Sequence, residues 1–243
     1  MDLSLIVIVV LSILSPVIGS AMGIIRMPSN IAMYNMLAFA AAIMLSISFL
    51  ELIPEAIEYG SLSFAIIGLV IGVGVMYLFD RLIPHLHPAT LDQEQGGNLK
   101  KSALFLFWGI FLHNFPEGIA MAVGTVTNIN LSIAVAIGLA MHNIPEGILT
   151  SAPYYKATGK RWKAFWISSA TAIPIAVGFV ISYFIFQNIS MVALSIIVAA
   201  TAGIMIYICV DELIPASSFK LTNHSTIFSF IAGILLVLLL GFI

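Results

Sequence analysis

Long apolar runs separated by short polar segments make up nearly the whole chain. Eight such runs can be drawn, at about 3 to 25, 31 to 56, 61 to 80, 102 to 124, 129 to 152, 164 to 186, 191 to 214 and 226 to 243. A helix needs about 20 mostly apolar residues to cross a bilayer. The pattern therefore predicts an all-α polytopic membrane protein, with eight transmembrane helices in a single transmembrane domain over residues 1–243.

Composition agrees with a membrane protein and excludes several other classes. Hydrophobic residues make up 61% of the chain and charged residues only 8%, whereas a soluble domain has about 25% charged residues. The single cysteine, Cys209, excludes a disulfide framework within one chain and a metal site built from several thiolates. A formal net charge of −2 gives no electrostatic basis for binding nucleic acid. The lipid bilayer is therefore the expected surroundings of the chain.

The positions of the basic residues predict how the helices are oriented. All nine fall between an odd-numbered run and the even-numbered run that follows it: Arg26, Arg81, Lys100, Lys101, Lys156, Lys160, Arg161, Lys163 and Lys220. Under the positive-inside rule these segments are cytoplasmic and both termini face outside. The longest is a cytoplasmic loop at about 81–101, in which His85 and His87 could collect metal or simply be solvated.

A fainter repeat relates the two ends of the chain. The second and seventh runs contain two segments at the same separation: Ile43-Met44 then Glu51-Leu52-Ile53-Pro54, and Ile204-Met205 then Glu212-Leu213-Ile214-Pro215. Because these runs are five helices apart, they cross the membrane in opposite directions. We therefore expect three helices, a central pair and three helices of inverted topology. This 3+2+3 arrangement is typical of transporters that alternate access around a site near mid-membrane.

The central pair of runs carries one motif twice. Its copies are His113-Asn114-Phe115-Pro116-Glu117-Gly118-Ile119 and His142-Asn143-Ile144-Pro145-Glu146-Gly147-Ile148. In each copy a histidine and a glutamate stand four residues apart on one face of a helix, with an asparagine three residues before the glutamate. Both copies lie near the middle of antiparallel runs. We therefore expect them to face each other across a local two-fold axis.

Two carboxylates at this depth need a positive partner. Glu117 and Glu146 are the only acidic residues near the centre of any run, and no Lys or Arg is placed to neutralise them. The missing cation must be a metal ion, a proton, or each in turn. Two imidazoles, two carboxylates and amide oxygens suit Zn²⁺, Fe²⁺, Mn²⁺ or Cd²⁺ better than Ca²⁺, Mg²⁺ or Cu⁺. The motif prolines free one backbone carbonyl in each helix, and the motif glycines allow a helix or an ion to approach closely.

In these features the chain resembles the ZIP (Zrt-, Irt-like) metal transporters, and in particular their bacterial zinc-uptake branch. The resemblance rests on the eight runs, the doubled motif, His85-Leu86-His87-Pro88 and Glu212-Leu213-Ile214-Pro215. It implies transport of a divalent metal ion, most of all Zn²⁺, into the cytoplasm across a bacterial or archaeal cell membrane, without enzymatic activity. It also implies metal ligands at His113, Asn114, Glu117, His142, Asn143, Glu146 and Met44.

One position departs from the family pattern. Many bacterial members carry a Glu-Pro pair in the sixth run, whose glutamate supports a second metal position, and here the pair is Ile173-Pro174. We therefore expect a single dominant metal site. Two other functions stay open on the residues alone: an intramembrane zinc hydrolase, because His and Glu can also activate water, and a proton or sodium antiporter. A homodimer is one oligomeric state to be tested.

Overall fold

Every regular element in the described part of the chain is a helix. The computed structural model describes residues 3–82, 99–123, 125, 129–218 and 224–241. Its α-helices have the following bounds: α1 Leu3–Ile25, α2 Asn30–Ile47, α3 Ile53–Tyr59, α4 Leu62–Leu82, α5 Leu99–Val123, α6 Ile129–Thr158, α7 Arg161–Ser169, α8 Ala172–Phe186, α9 Met191–Ile208, α10 Ile214–Ser218 and α11 Ser225–Leu240. His85, His87 and most of the predicted cytoplasmic loop lie outside the described residues. The prediction of an all-α protein is confirmed for the rest.

Six helical segments among the described residues are long and apolar enough to cross a membrane. They are Ile6–Ile25, Asn30–Tyr59, Leu62–Arg81, Ser132–Thr158, Arg161–Phe186 and Met191–Ser217. Each corresponds to one of the predicted apolar runs. The other two predicted runs fall on α5 and α11, and α11 is a shorter apolar helix of 16 residues. The chain is therefore a helical integral membrane protein.

A π-helical turn accompanies each copy of the repeated Glu-Leu-Ile-Pro segment. One turn, Ser48–Leu52, joins α2 to α3, and another, Cys209–Leu213, joins α9 to α10. In each case the N–H of the next residue, Ile53 or Ile214, donates to the carbonyl five residues earlier. The following proline cannot donate to the carbonyl four residues before it, and single π-helical turns are found inside α-helices where the regular ladder is disturbed. The two copies of the segment therefore share one local geometry.

The helix of the sixth predicted run is broken near its middle. α7 ends at Ser169 and α8 begins at Ala172. Pro174 has no N–H to donate to the Ala170 carbonyl, which accepts instead from the Ile173 N–H at 3.1 Å. The run forms one candidate span, Arg161–Phe186, which consists of the two helices α7 and α8.

Glycines bring four helices into backbone contact around the doubled motif. A Cβ atom on Gly147 of α6 would collide with a backbone carbonyl of α1, and one on Gly118 of α5 would collide with a backbone carbonyl of α8. The partner helices also present glycines at these contacts, Gly19 and Gly178. Small residues allow such close approach between membrane helices. The predicted role of the motif glycines is therefore confirmed for helix packing.

Three helix pairs run parallel, because position numbers rise together along both helices of each pair. These pairs are α1 with α6, α2 with α11, and α4 with α9. Between α1 and α6, Gly19 contacts Gly147 and Gly23 contacts Ser151. Between α2 and α11, Asn35 contacts Thr226 and Phe39 contacts Gly233. Between α4 and α9, Gly68 contacts Ile196 and Gly72 contacts Ala200. The two helices of each pair therefore point in the same direction.

Replacing Gly147 by alanine tests the close contact between α6 and α1. The added methyl group meets backbone that cannot rotate away, so we expect a destabilisation of about 1–3 kcal/mol, even though alanine favours a helix over glycine by about 1 kcal/mol. Thermal unfolding of the purified protein in detergent measures the effect. Gly74→Ala in α4 is the matched control, because nothing lies within 4 Å of its added Cβ. Equal unfolding temperatures for the two variants would contradict the contact.

Candidate functional site

Two antiparallel helices bring the repeated motifs together. Nε2 of His113 on α5 lies 3.0 Å from Oε1 of Glu146 on α6. Nε2 of His142 on α6 lies 2.9 Å from Oε1 of Glu117 on α5. Partner positions therefore rise along α5 as they fall along α6, which makes the two helices antiparallel. Each histidine pairs with the glutamate of the other copy, so the motifs face each other with reciprocal bonds, as a local two-fold axis requires.

All four side chains of these pairs are buried. Their exposed fractions are 1% for His113, 0% for Glu117, 0% for His142 and 2% for Glu146. Within the part of the chain that the structure describes, no Lys or Arg forms an ion pair with either glutamate. A buried carboxylate without a partner is costly, and hydrogen bonds to charged groups are stronger than those between neutral groups. The imidazoles are therefore the groups that stabilise both carboxylates.

The two asparagines use their amide N–H groups and keep their amide oxygens free. Asn114 Nδ2 donates to the Thr171 carbonyl, at the break between α7 and α8, at 2.8 Å. Asn143 Nδ2 donates to Glu117 Oε2 at 3.1 Å. These partners decide which end of each amide is the oxygen. Asn114 Oδ1 and Asn143 Oδ1 are buried and have no hydrogen-bond partner.

Unpartnered atoms and short separations make this cluster able to hold an ion. Glu146 Oε2 and His113 Nδ1 are also buried without a hydrogen-bond partner, although buried polar atoms normally have one. His113, Glu117 and Glu146 each offer a ligand atom, and these three atoms lie within 4.8 Å of one another. Ligand atoms lie about 2.0–2.2 Å from a zinc ion, so two ligands of one ion are at most about 4.4 Å apart, which is close to the spacing of these three atoms. Imidazole nitrogen with carboxylate and amide oxygen suits a divalent transition metal.

Met44, the remaining predicted ligand, lies on a helix that adjoins the cluster. It is fully buried on α2. α2 packs against α6 where Ile43 and Ile47 meet Gly138, one turn before His142. The structure thus places Met44 beside the central pair of helices, whereas the other six predicted ligands lie on α5 and α6 themselves.

A buried group of hydroxyls lies one turn beyond Glu146 and was not predicted from the sequence. Ser20 Oγ donates to Ser168 Oγ at 2.6 Å, and Ser168 Oγ donates to the Gly147 carbonyl at 3.0 Å. Thr150 Oγ1 also bonds to Ser168 Oγ. These bonds tie α6, which carries half of the site, to α1 and α7. Single Ser and Thr residues in apolar runs carry no spacing signal, so nothing in the sequence marks this group.

Ile173 belongs to α8. It lies next to the side of α5 that faces away from the cluster. It lines an apolar groove of about 230 Å³ together with Phe111, Leu112, Phe115, Pro174 and Val177. At 100° per residue, the groove residues of α5 project from the face opposite to His113 and Glu117. A side chain at position 173 therefore points into an apolar groove.

Fold and site together define a helical membrane protein with a buried cluster of imidazole, carboxylate and amide groups between two antiparallel helices. A family model described as ZIP Zinc transporter matches residues 80–242. The chain belongs to the ZIP zinc transporter family, and the resemblance seen in its motifs is confirmed.

Named relatives agree with this family. A protein named zinc transporter ZupT from Enterobacter sp. (strain 638) is 35% identical over 225 residues, which cover 89% of this chain and 87% of the relative. Proteins of the same name from Salmonella newport (strain SL254) and Salmonella heidelberg (strain SL476) are 34% identical over the same shares of both chains. These relatives are named as transporters and not as enzymes.

Double-mutant cycles test whether the pairs form between the helices rather than within each helix. His142→Ala and Glu117→Ala with their double variant form the cross-helix cycle, and His142→Ala with Glu146→Ala forms the matched within-helix cycle. Because His142 bonds to Glu117, we expect a coupling energy of about 1–3 kcal/mol in the first cycle and a smaller one in the second. Unfolding free energies of the metal-free protein in detergent provide both values. A larger coupling within the helix would show that the pairing is wrong.

Proposed function

We propose that this chain transports Zn²⁺ across the cell membrane into the cytoplasm through the cluster between α5 and α6. The observation that carries this proposal is the set of buried, unpartnered nitrogen and oxygen atoms beside two buried glutamates. Membership of the ZIP family and the names of the relatives point to the same ion. Two glutamate charges cancel the charge of one divalent ion, and a neutral loaded site lowers the cost of carrying an ion through hydrocarbon.

The cross-helix bonds and a bound ion use the same atoms. An ion that binds Nε2 of a histidine and Oε1 of a glutamate replaces the hydrogen bond between them, so the carboxylates exchange one positive partner for another.

We infer three roles for the residues of the cluster. Glu117 and Glu146 supply negative charge, and His113 and His142 give a preference for borderline metal ions such as Zn²⁺. Asn114 and Asn143 supply oxygen ligands. We also propose Met44 as a ligand, because α2 packs beside the site. The same donor set accepts Fe²⁺, Mn²⁺ and Cd²⁺, and competition for uptake would rank these ions.

We propose eight transmembrane helices in a 3+2+3 arrangement with both termini outside. In this arrangement α5 and α11 cross the membrane in addition to the six candidate spans. Helix directions support it: the three parallel pairs each join two odd-numbered or two even-numbered spans, whereas the successive spans α5 and α6 are antiparallel. The π-helical turns at equivalent places in the second and seventh spans support an inverted repeat. The basic residues assign the cytoplasmic side.

The proposed location is the inner membrane of a bacterium. Six apolar helices and the bacterial relatives support it. The bilayer and the transported ion are the proposed partners of the chain. A homodimer would add a second copy of the chain, and light scattering of the purified protein would give its mass.

Removing both carboxylates is expected to abolish transport. Zn²⁺ uptake into proteoliposomes by Glu117→Ala/Glu146→Ala protein should fall to the level of empty liposomes, since loss of a group that merely supports a metal ligand already costs about 10–100-fold. Glu55→Ala/Glu58→Ala is the matched control, because it removes two carboxylates from α3, outside the cluster.

Three outcomes would contradict this proposal. Zn²⁺ uptake that survives the loss of Glu117 and Glu146 would show that the cluster between α5 and α6 is not the transport site. Metal-dependent turnover of a lipid or peptide without metal flux would favour the hydrolase. Ion flux in rigorously metal-free buffer would favour the antiporter.

We propose one metal ion per chain, and Ile173→Glu tests this number. Because position 173 faces the apolar groove, a glutamate there should not reach the cluster, and the Zn²⁺ stoichiometry of the purified protein should not change. A charged side chain in such surroundings costs about 2.5–3.5 kcal/mol, so the unfolding temperature should fall. Val177→Glu, one turn along the same groove, is the matched control. A second ion bound by Ile173→Glu but not by Val177→Glu would show that position 173 faces the site.

A further inference from the structure

A dense group of basic side chains lies where α6 ends and α7 begins. Four of the nine basic residues of the chain fall within eight positions: Lys156, Lys160, Arg161 and Lys163. All four side chains are exposed, and none forms an ion pair with another described residue. The sequence contains no acidic residue between Glu146 and Asp211. Within the described ranges of the chain, the group therefore presents positive charge that no acidic side chain neutralises.

Two exposed tryptophans stand beside these cations. Trp162 and Trp166 are 69% and 67% exposed and lie four residues apart on one face of α7. Tryptophan is enriched at membrane–water interfaces, where its apolar ring and its N–H group both find suitable neighbours. This end of the helical bundle therefore combines an interfacial anchor with positive charge.

A small core of its own holds this region in place. Ile24, Tyr154 and Ala164 are buried together and join the end of α1 to α6 and α7. Lys160, the residue before α7, provides no side-chain cap for the helix, so the first N–H groups of α7 also add positive partial charge at this end. The cations are thus carried by a packed helical corner.

We propose that this basic surface, formed by Lys156, Lys160, Arg161, Trp162, Lys163 and Trp166, binds the headgroup of an anionic phospholipid in the cytoplasmic leaflet. A phosphodiester accepts charge-assisted hydrogen bonds from Lys and Arg. Basic clusters immediately next to a transmembrane helix attract anionic lipids. α6 carries both His142 and Lys156 of this surface, and α7 carries most of the rest, so a bound lipid holds the end of the helix of the metal site at the inner face of the membrane. The lipid contact itself does not depend on metal binding.

Energy transfer from tryptophan to a dansyl-labelled lipid measures this binding without any transport. Trp108→Phe removes one of the three tryptophans, so that the remaining fluorescence comes from Trp162 and Trp166. The protein is placed in phosphatidylcholine vesicles with a trace of dansyl-phosphatidylethanolamine, whose phosphodiester is negatively charged. We expect more transfer than random mixing gives. Unlabelled phosphatidylglycerol should reduce it, whereas additional phosphatidylcholine should not.

Paired variants separate a specific surface from general charge attraction. Lys160→Gln/Lys163→Gln should weaken the preference for anionic lipid about fivefold for each charge removed. Lys160→Arg/Lys163→Arg keeps the charge and should keep the preference. Arg81→Gln removes one charge from an exposed position on α4, away from α6 and α7, and should leave the preference unchanged, whereas Lys160→Gln alone should weaken it.

Several results would overturn the lipid site. Equal losses in Lys160→Gln and Arg81→Gln would mean that net charge alone attracts lipid. Equal displacement by phosphatidylglycerol and phosphatidylcholine would mean that the surface has no preference for anionic headgroups. Displacement of the labelled lipid by millimolar inorganic phosphate would mean that the surface takes a free anion rather than a lipid.

Discussion

Two carboxylates inside a hydrocarbon layer are the constraint on which the rest of this structure depends. A bilayer core offers no water to solvate them, and no Lys or Arg is paired with Glu117 or Glu146 among the described residues. They are stabilised by imidazoles, each from the opposite helix. Because the same four-residue spacing occurs on two antiparallel helices, both pairs form at one register of α5 against α6. The cost of burying charge therefore sets the geometry of the central helix pair.

The surroundings of this pair are built from backbone contacts and small polar groups. Gly118 and Gly147 let α8 and α1 touch the backbone of the motif helices. The hydroxyls of Ser20, Thr150 and Ser168 join α1, α6 and α7. The hydrophobic effect does not drive helices together in lipid, so close packing and interhelical hydrogen bonds must do so. The glycines of the motif therefore position the site, although they offer no side chain to an ion.

Much of the fold and the site could be predicted because both signals are strong and repeated. An apolar run of about 20 residues has essentially one solution in a bilayer, and two copies of a His-Glu spacing at one depth indicate a shared site. The choice of partner could not be predicted, since the spacing also allows His142 to bond to Glu146 of its own helix. The bond from Asn114 to Thr171 could not be predicted either. A proline marks where a helix is disturbed, but not which distant amide will bond near the break.

The near two-fold relation of the motifs bears on the direction of ion flow. Two equivalent His–Glu pairs present the same ligands to an ion arriving from either face of the membrane, so the pairs alone favour neither influx nor efflux. The asparagines break this equivalence. Asn143 bonds inside the cluster to Glu117, whereas Asn114 bonds outside it to the Thr171 carbonyl. An ion must therefore compete with an amide for Glu117, but meets no such competitor at Glu146. The direction of net flow is set by the ion's gradient, and the inequality between the asparagines changes only how strongly each half of the site competes for the ion.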